Sequence, residues 1–298
     1  MPFCTNYNND TTKCLAIRSY HGQNTFAPFT NYNNYPSIIQ AERRIQMAIA
    51  CITGASSGIG REFAFQLSKR GYNLILVARS RDKLENLAKQ LDTKCRIIVC
   101  DLVDEESSRS LADQLKKYKL SILINNAGFG DVGKFHETSL AKDLDMIDVN
   151  VKATHILTKE LLPNFIKQNS GYILNVASSA GLMPGGPYMA TYYATKAYVA
   201  SFTSAISEEL RAMGSRVKIS ALCPGPVDTN FNDVANVKFA LKGISSPYCV
   251  SYALRKMFAG KLIIVPSFKM KSAVLASKFS PRRMALVITS KQQKKKQG

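Results

Sequence analysis

From Ala48 onward, short apolar runs alternate with longer stretches whose apolar residues recur at helical spacing. The runs are "AIACIT", "NLILVA", "RIIVCD", "SILIN", "GYILNVA", "VKISAL" and "KLIIVP". Most are apolar at odd and even positions alike, the pattern of a strand buried on both faces. Between them, "REFAFQLSKRG", "RDKLENLAKQL", "SSRSLADQLKKY" and "YYATKAYVASFTSAISEELRAMG" read as helices. This alternation predicts a parallel sheet covered by helices on both sides. Seven strands within about 220 residues predict one α/β domain, a doubly wound, seven-stranded Rossmann sheet.

Residues 1–46 break the pattern. "TNYNND" and "TNYNNYP" repeat an Asn/Tyr theme without apolar period, so a low-complexity, disordered extension is expected. Translation beginning at Met47 is a second reading of the same stretch. The Rossmann domain is placed at 47–266 and a basic helical tail at 267–298.

Charge sharpens this division. The 298 residues carry 40 Lys and Arg against 21 Asp and Glu, a net charge of +19. Ten basic residues and no acidic one lie from Lys261 to the end. That describes a basic tail on an enzyme better than a nucleic-acid binder, whose basic surface is interleaved with aromatics along a groove. The seven cysteines form no CxxC pair and the three histidines are scattered, so reduced thiols, a cytoplasmic protein and no metal are expected. No run approaches the roughly 18 apolar residues of a membrane span, and residues 1–46 lack the charged-then-apolar pattern of a secretory signal, so none is expected.

The chemistry begins at "TGASSGIG", which follows the first strand and opens the first helix. Gly54 allows a tight turn, Gly58 a close approach of backbone to pyrophosphate, and Gly60 close packing of helix on strand. The helix N-terminus offers unpaired N–H groups to phosphate. Gly54, Ser56, Ser57, Gly58, Ile59 and Gly60 thus form a candidate dinucleotide cradle. The residue that would read the adenosine ribose ends strand two, in "LVARSRDK", and it is Arg79. An arginine cannot accept from a 2′-hydroxyl but can pair with a 2′-phosphate, so NADP(H) is favoured over NAD(H).

Together these residues resemble the short-chain dehydrogenases/reductases, over roughly Met47 to Pro266, with a flavour of the bacterial reductases of DltE-like type. "NNAG", with Asn126, Ala127 and Gly128, is similar to the family's strand-four motif. Asp101 and Leu102 in "CDL" resemble its adenine contact, and "PGPVDT", with Pro224, Gly225, Val227 and Thr229, its nicotinamide loop. The resemblance implies a catalytic set of Asn150, Ser178, Tyr192 and Lys196. It also implies that Lys196 holds the nicotinamide ribose and that Asn150 kinks its helix and holds a water relaying protons to Lys196. Ser178 precedes Tyr192 by fourteen residues and Ser179 by thirteen, the commoner family spacing. Ser178 is chosen because Gly181 completes S-x-x-G, and Ser179 stays open.

The residues themselves single out Tyr192. It lies four before Lys196 and so shares a helix face with it, whereas Tyr193 has Ala197 there. A neighbouring ammonium is expected to lower the phenol's pKa toward neutrality. Ser178 would hydrogen-bond the carbonyl oxygen while Tyr192 exchanges its proton. A non-catalytic NADP-binding regulator on the same fold is the second reading. His155, on a helical stretch, reads as partly buried scaffold. A homo-oligomer acting on a small-molecule carbonyl or alcohol is expected. Phe129, Met183, Tyr188, Met189 and Phe231 suggest an apolar substrate, or else loop packing. Pro281 should divide the tail into two helices, with Ser280 capping the second. They would dock on their own domain or a partner subunit, or attach the enzyme peripherally to the inner face of an anionic membrane.

Overall fold

The computed structural model describes residues 48–229 and 243–294. The proposed extension at 1–46, Met47 and Phe231 lie outside them. Strand β1 (Ile49–Thr53) leads through α1 (Gly58–Ser68) to β2 (Asn73–Ala78), and α2 (Arg81–Ala88) to β3 (Cys95–Val99). Helix α3 (Glu105–Lys116) precedes β4 (Leu120–Asn125). Next come α4 (Leu140–Ile147), a π-helical turn (Asp148–Ala153) and α5 (Thr154–Gln168). Strand β5 (Tyr172–Val176) is followed by a 3₁₀ turn (Ser179–Leu182), α6 (Ala190–Ala212) and β6 (Lys218–Leu222). The short β7 (Val227–Asp228) and β8 (Ile244–Ser245) pair with each other. Helix α7 (Ser246–Phe258), β9 (Ile263–Ile264), α8 (Phe268–Phe279) and α9 (Arg282–Lys294) complete the described residues.

The main sheet has seven strands in the order β3-β2-β1-β4-β5-β6-β9, and every pairing is parallel. The doubly wound sheet expected from the apolar runs is therefore present. Its two faces divide each strand's side chains by alternation. Ala50, Ile52, Leu74, Leu76, Ile122 and Ile124 pack with Phe63 and Leu67 of α1 and with Leu254 and Met257 of α7. Cys51, Ile75, Val77 and Leu123 face the other way, onto Leu111 and Leu115 of α3, Leu161 and Phe165 of α5 and Leu210 of α6. Because both faces are covered, the runs carry no polar alternation. The last run pairs over only Ile263–Ile264, against Ala221 and Leu222, because Pro266 ends it.

The order reverses between β1 and β4, whose chains leave in opposite directions along the sheet. Such a switch point opens a crevice at the carboxyl ends of the strands, where ligands bind in open α/β sheets. A buried polar chain steadies it from below. Asn125 Nδ2 donates to Thr158 Oγ1 at 3.0 Å and to Asn175 Oδ1 at 2.9 Å, and Asn175 Nδ2 donates to Thr203 Oγ1 at 3.0 Å. The first asparagine of "NNAG" thus serves the core, and the second serves the site.

Candidate active site

The crevice is a cavity of about 1370 Å³. Single-ligand sites span roughly 300–1,000 Å³, so this one has room for a dinucleotide and a substrate. At one end is the turn between β1 and α1. Gly54 (φ +64°) and Gly58 (φ +53°) occupy the left-handed region, which glycine enters without steric cost. A Cβ on Gly54 would lie 2.9 Å from Ala127 Cα and from Asn126 Nδ2, so the turn meets the end of β4 backbone to backbone. Asn126 pins it there, donating from Nδ2 to Thr53 O at 3.0 Å and to Gly54 O at 3.2 Å. Thr53 Oγ1 accepts from the backbone N–H groups of Asn126 and Ala127, each at 3.0 Å. Gly60 is buried and does not line the cavity. A Cβ there would run into the Gly54 carbonyl, so its role is packing of α1 on the turn.

Helix α1 starts without a side-chain cap on its N–H groups and without an acidic residue in its first turn. Ser56, Ser57, Gly58 and Ile59 line the cavity here. An uncapped helix start at the wall of a polar crevice fits a phosphate group. Farther along, Arg79, Asp101 and Leu102 line the same cavity. Arg79 Nη1 lies 3.9 Å from Asp101 Oδ2, with both side chains largely exposed. So loose a surface pair adds little stability and leaves the guanidinium available. Two residues passed over in the sequence, Ser80 and Lys83, also line this end. Their signal was present: a hydroxyl beside Arg79 and a second cation in the first turn of α2. Residues of this kind fit a dinucleotide with an additional anionic group.

At the other end, the catalytic candidates come together. Ser178, Ser179, Tyr192 and Lys196 all line the cavity, with Gly128, Pro224, Gly225, Val227 and Thr229 between them and the cradle. Ser178 extends from the end of β5, and Tyr192 and Lys196 stand one turn apart on α6. The Ser178 hydroxyl shares a hydrogen bond with the Tyr192 phenol. It also accepts from Ala180 N at 3.1 Å as the cap of the 3₁₀ turn. Ser179 instead donates its backbone N–H to Pro224 O at 2.8 Å. Gly181 explains S-x-x-G: a Cβ there would sit 2.9 Å from Ala197 N and closer still to the Lys196 carbonyl. Only glycine lets the turn press against the backbone of α6 at the lysine.

Lys196 is buried and donates from Nζ to Val176 O at 2.9 Å. Burial lowers its pKa to about 8. The Tyr192 ring centroid is 5.9 Å from Nζ. The expected lowering of the phenol does not occur in this state. Desolvation raises the Tyr192 pKa to about 12, and the Ser178 hydrogen bond only partly opposes it. Loss of water decides the shift; Lys196 Nζ is engaged by the Val176 carbonyl, and its own charge is disfavoured by burial.

Asn150 stands behind this wall, buried, within the π-helical turn between α4 and α5. Its Nδ2 donates to Phe129 O at 2.9 Å and Thr195 Oγ1 at 3.1 Å, and its Oδ1 accepts from Phe129 N at 3.0 Å. A Cβ on Gly128 would crowd Asn150 Oδ1 at 2.6 Å and Lys196 Nζ at 3.1 Å, so Gly128 keeps the space between them clear. His155 is half-buried, stacked on Phe202 at 4.9 Å and bonded through Nδ1 to the Tyr198 hydroxyl at 2.6 Å. That is scaffold, as expected. Among the described residues no cluster of side chains suits a metal ion.

The tail folds over the site. Pro281 separates α8 from α9, and both helices line the cavity opposite the catalytic wall. Met270 of α8 lies over Gly225, where a Cβ would come within 2.5 Å of its Cγ. Gln293 of α9 is buried and donates from Nε2 to the Tyr193 hydroxyl at 2.6 Å. Phe129, Met183, Met189 and Ile288 add an apolar lining. The sequence marked the helices and the break between them, but not their place in the site.

Comparison with known proteins agrees with this geometry. Residues 48–238 match the profile of the short chain dehydrogenases. An oxidoreductase of Staphylococcus epidermidis, named as uncharacterized, is 35% identical over 191 residues, covering 62% of this chain and 80% of its own. A very-long-chain 3-oxoacyl-CoA reductase of Kluyveromyces lactis is 33% identical over 285 residues, covering 83% of this chain and 81% of its own. A short-chain dehydrogenase from Sphingobium yanoikuyae, solved in complex with NADPH, superposes with a TM-score of 0.71 at 27% identity, covering 78% and 93% of the two chains. One from Burkholderia phymatum, solved with NAD, gives 0.70 at 25% identity, covering 77% and 92%.

Proposed function

The chain belongs to the short-chain dehydrogenase family, and on that premise we propose that it is an NADP-dependent carbonyl reductase with Tyr192 as its general acid. As a member of that family it is an oxidoreductase of CH–OH and C=O groups with a nicotinamide cofactor. The observation that carries the finer reading is the Ser178–Tyr192 hydrogen bond, one turn from Lys196, on the wall of a cavity whose far end is the glycine cradle.

When bound, the nicotinamide supplies a hydride to the carbonyl carbon. Ser178 and Tyr192 both present hydroxyls to the carbonyl oxygen. Ser178 stabilises charge as it develops there, and Tyr192 delivers the proton. A phenol held near 12 is protonated at neutral pH, the form that reduction requires. Lys196, held near 8, is poised to resupply that proton. Asn150 ties the loop at Phe129 to α6 at Thr195 and would hold the relay behind Lys196. Arg79 and Lys83 would hold the 2′-phosphate and so prefer NADP(H) over NAD(H).

The apolar lining from Phe129, Met183, Met189, Met270 and Ile288 supports an apolar carbonyl substrate. The outer face of α4, with Leu140, Leu144 and Ile147 exposed, supports a homo-oligomer. NADPH oxidation followed over a panel of long-chain acyl, steroid-like and aromatic carbonyl compounds tests the reading. Turnover with an apolar carbonyl is expected. NADPH binding without turnover of any of them would instead favour a cofactor-binding regulator.

A further inference from the structure

The helices that roof the cavity have a second face. Phe268, Leu275 and Phe279 of α8 are 82%, 58% and 83% exposed. At 3.6 residues per turn, positions 268, 275 and 279 fall within about 40° of one another. Met270, Ala273 and Ser277, which line the cavity, lie on the opposite side of the same helix. In α9, Met284 and Val287 are likewise about half exposed, while Ala285, Thr289 and Gln293 are buried.

The charge on these helices has one sign. Lys269, Lys271, Lys278, Arg282, Arg283, Lys291 and Lys294 are all exposed, and the segment holds no carboxylate. None of the seven pairs with a carboxylate among the described residues, whose ion pairs all lie earlier in the chain. Lys269 lines the cavity, Lys271 Nζ donates to the Tyr252 hydroxyl at 2.8 Å and Lys294 lies over the Tyr188 ring, which leaves Lys278, Arg282, Arg283 and Lys291 for the outside. Exposed phenylalanines at the outside of a fold, among cations without counter-ions, are not explained by cofactor or catalysis.

We propose that the outer face of α8 and α9 is a docking surface for an anionic lipid membrane. A second copy of the chain is the other apolar occupant, but pairing this face with itself would oppose Lys278, Arg282, Arg283 and Lys291 to the same four cations with no carboxylate between them. An anionic bilayer answers both features at once. Its headgroups neutralise the cations, and the boundary of its acyl region takes Phe268, Leu275 and Phe279. No described helix is long and apolar enough to cross a membrane, so the attachment is peripheral. The proposal deepens the reading of an apolar carbonyl substrate and leans on it for one point only. The roof that touches lipid also lines the cavity, so such a substrate has a short path into it.

The test is cosedimentation of the full chain with phosphatidylcholine vesicles and with vesicles containing phosphatidylglycerol. Binding to the anionic vesicles at low salt, little to the neutral ones, and release at high salt are expected. Lys278→Gln with Arg283→Gln should weaken the partition roughly ten- to thirtyfold. Phe268→Ser with Phe279→Ser should weaken it about tenfold or more. None of these four residues lines the cavity, so NADPH fluorescence should be unchanged and reports that the variants are folded. Wild-type protein that stays in the supernatant with both vesicle types overturns the proposal. So does a charge variant that pellets as well as wild type. Sedimentation velocity gives a third contrary outcome, a dimer that Phe268→Ser with Phe279→Ser dissolves, which would make the face a contact between copies. Vesicle binding without turnover of any carbonyl would leave the docking surface standing and remove only the substrate reading.

Discussion

Gln293 Nε2 donates a 2.6 Å hydrogen bond to the hydroxyl of Tyr193, the residue next to the proposed acid. The two tyrosines have divided duties. Tyr192 meets Ser178 in the cavity, and Tyr193 clasps the last helix to α6. The Oε1 of buried Gln293 has no hydrogen-bond partner, so the Nε2 bond is the side chain's tether.

Tyr193→Phe should therefore loosen the roof rather than the chemistry. Leaving the Gln293 amide buried without a partner costs about 1–3 kcal/mol. Faster hydrogen–deuterium exchange across 282–294 is expected, with a raised KM for apolar substrates and kcat within a few-fold of wild type. Unchanged exchange in α9 would show that the clasp does not hold the roof.

Arg79→Ala should weaken NADPH more than NADH. A charge-assisted bond to phosphate contributes on the order of 1.5–3 kcal/mol, or about ten- to a hundredfold in preference. Lys83→Ala should act in the same direction and less strongly, since lysine offers no planar fork. Titration of both variants with both cofactors checks this, and equal losses for NADPH and NADH would remove the phosphate-reading role.

Burial of Lys196 gives a pH signature. Its folded pKa of about 8 lies below the ordinary 10.5, so between those values the unfolded chain binds more protons. The Lys196 contribution to the stability of the cofactor-free protein should then rise with pH through this window and be lost as pH falls through 8. The buried thiols of Cys51, Cys100, Cys223 and Cys249, pushed up by desolvation, act oppositely above about 9, and Tyr192 does so above 10, because its folded value is about 12. In denaturant unfolding the stability of wild type relative to Lys196→Met should therefore increase between pH 8 and 10, since the thiols and Tyr192 are common to both. Parallel wild-type and variant curves there would contradict the buried lysine's role.

Gly181→Ala tests the packing that sets Lys196 in place. A side chain there meets the Lys196 carbonyl, and overpacking costs about 1–3 kcal/mol, or roughly 2–12 °C in Tm. Thermal unfolding measures the shift, and an unchanged Tm would show that the turn yields freely.

Much of this arrangement was legible in the sequence. The apolar runs told the strands because a doubly covered sheet leaves no polar alternation. The spacing of Tyr192 and Lys196 told their shared face because α6 is regular there. The cradle was legible because Gly54 and Gly58 need conformations that few other residues accept. Three features were not. The phenol's raised pKa comes from desolvation, which only tertiary packing decides, and Lys196 Nζ is turned to the Val176 carbonyl, distant in sequence. The roof depends on tertiary docking of α8 and α9, whose own pattern shows only two amphipathic helices. Asn125 and Asn126 are adjacent and identical in type, and only the sheet sends one into the core and the other to the turn.

The central claim is that Tyr192 supplies the proton. Tyr192→Phe keeps the ring and removes the transferable proton, and general acid catalysis contributes roughly 10²- to 10⁴-fold. The direct measurement is single-turnover NADPH oxidation with an accepted carbonyl substrate, comparing Tyr192→Phe, Tyr193→Phe and wild type at saturating cofactor. The account predicts a loss in that range for Tyr192→Phe alone, with its NADPH affinity unchanged. Equal rates in the two variants, or a larger loss in Tyr193→Phe, would contradict it.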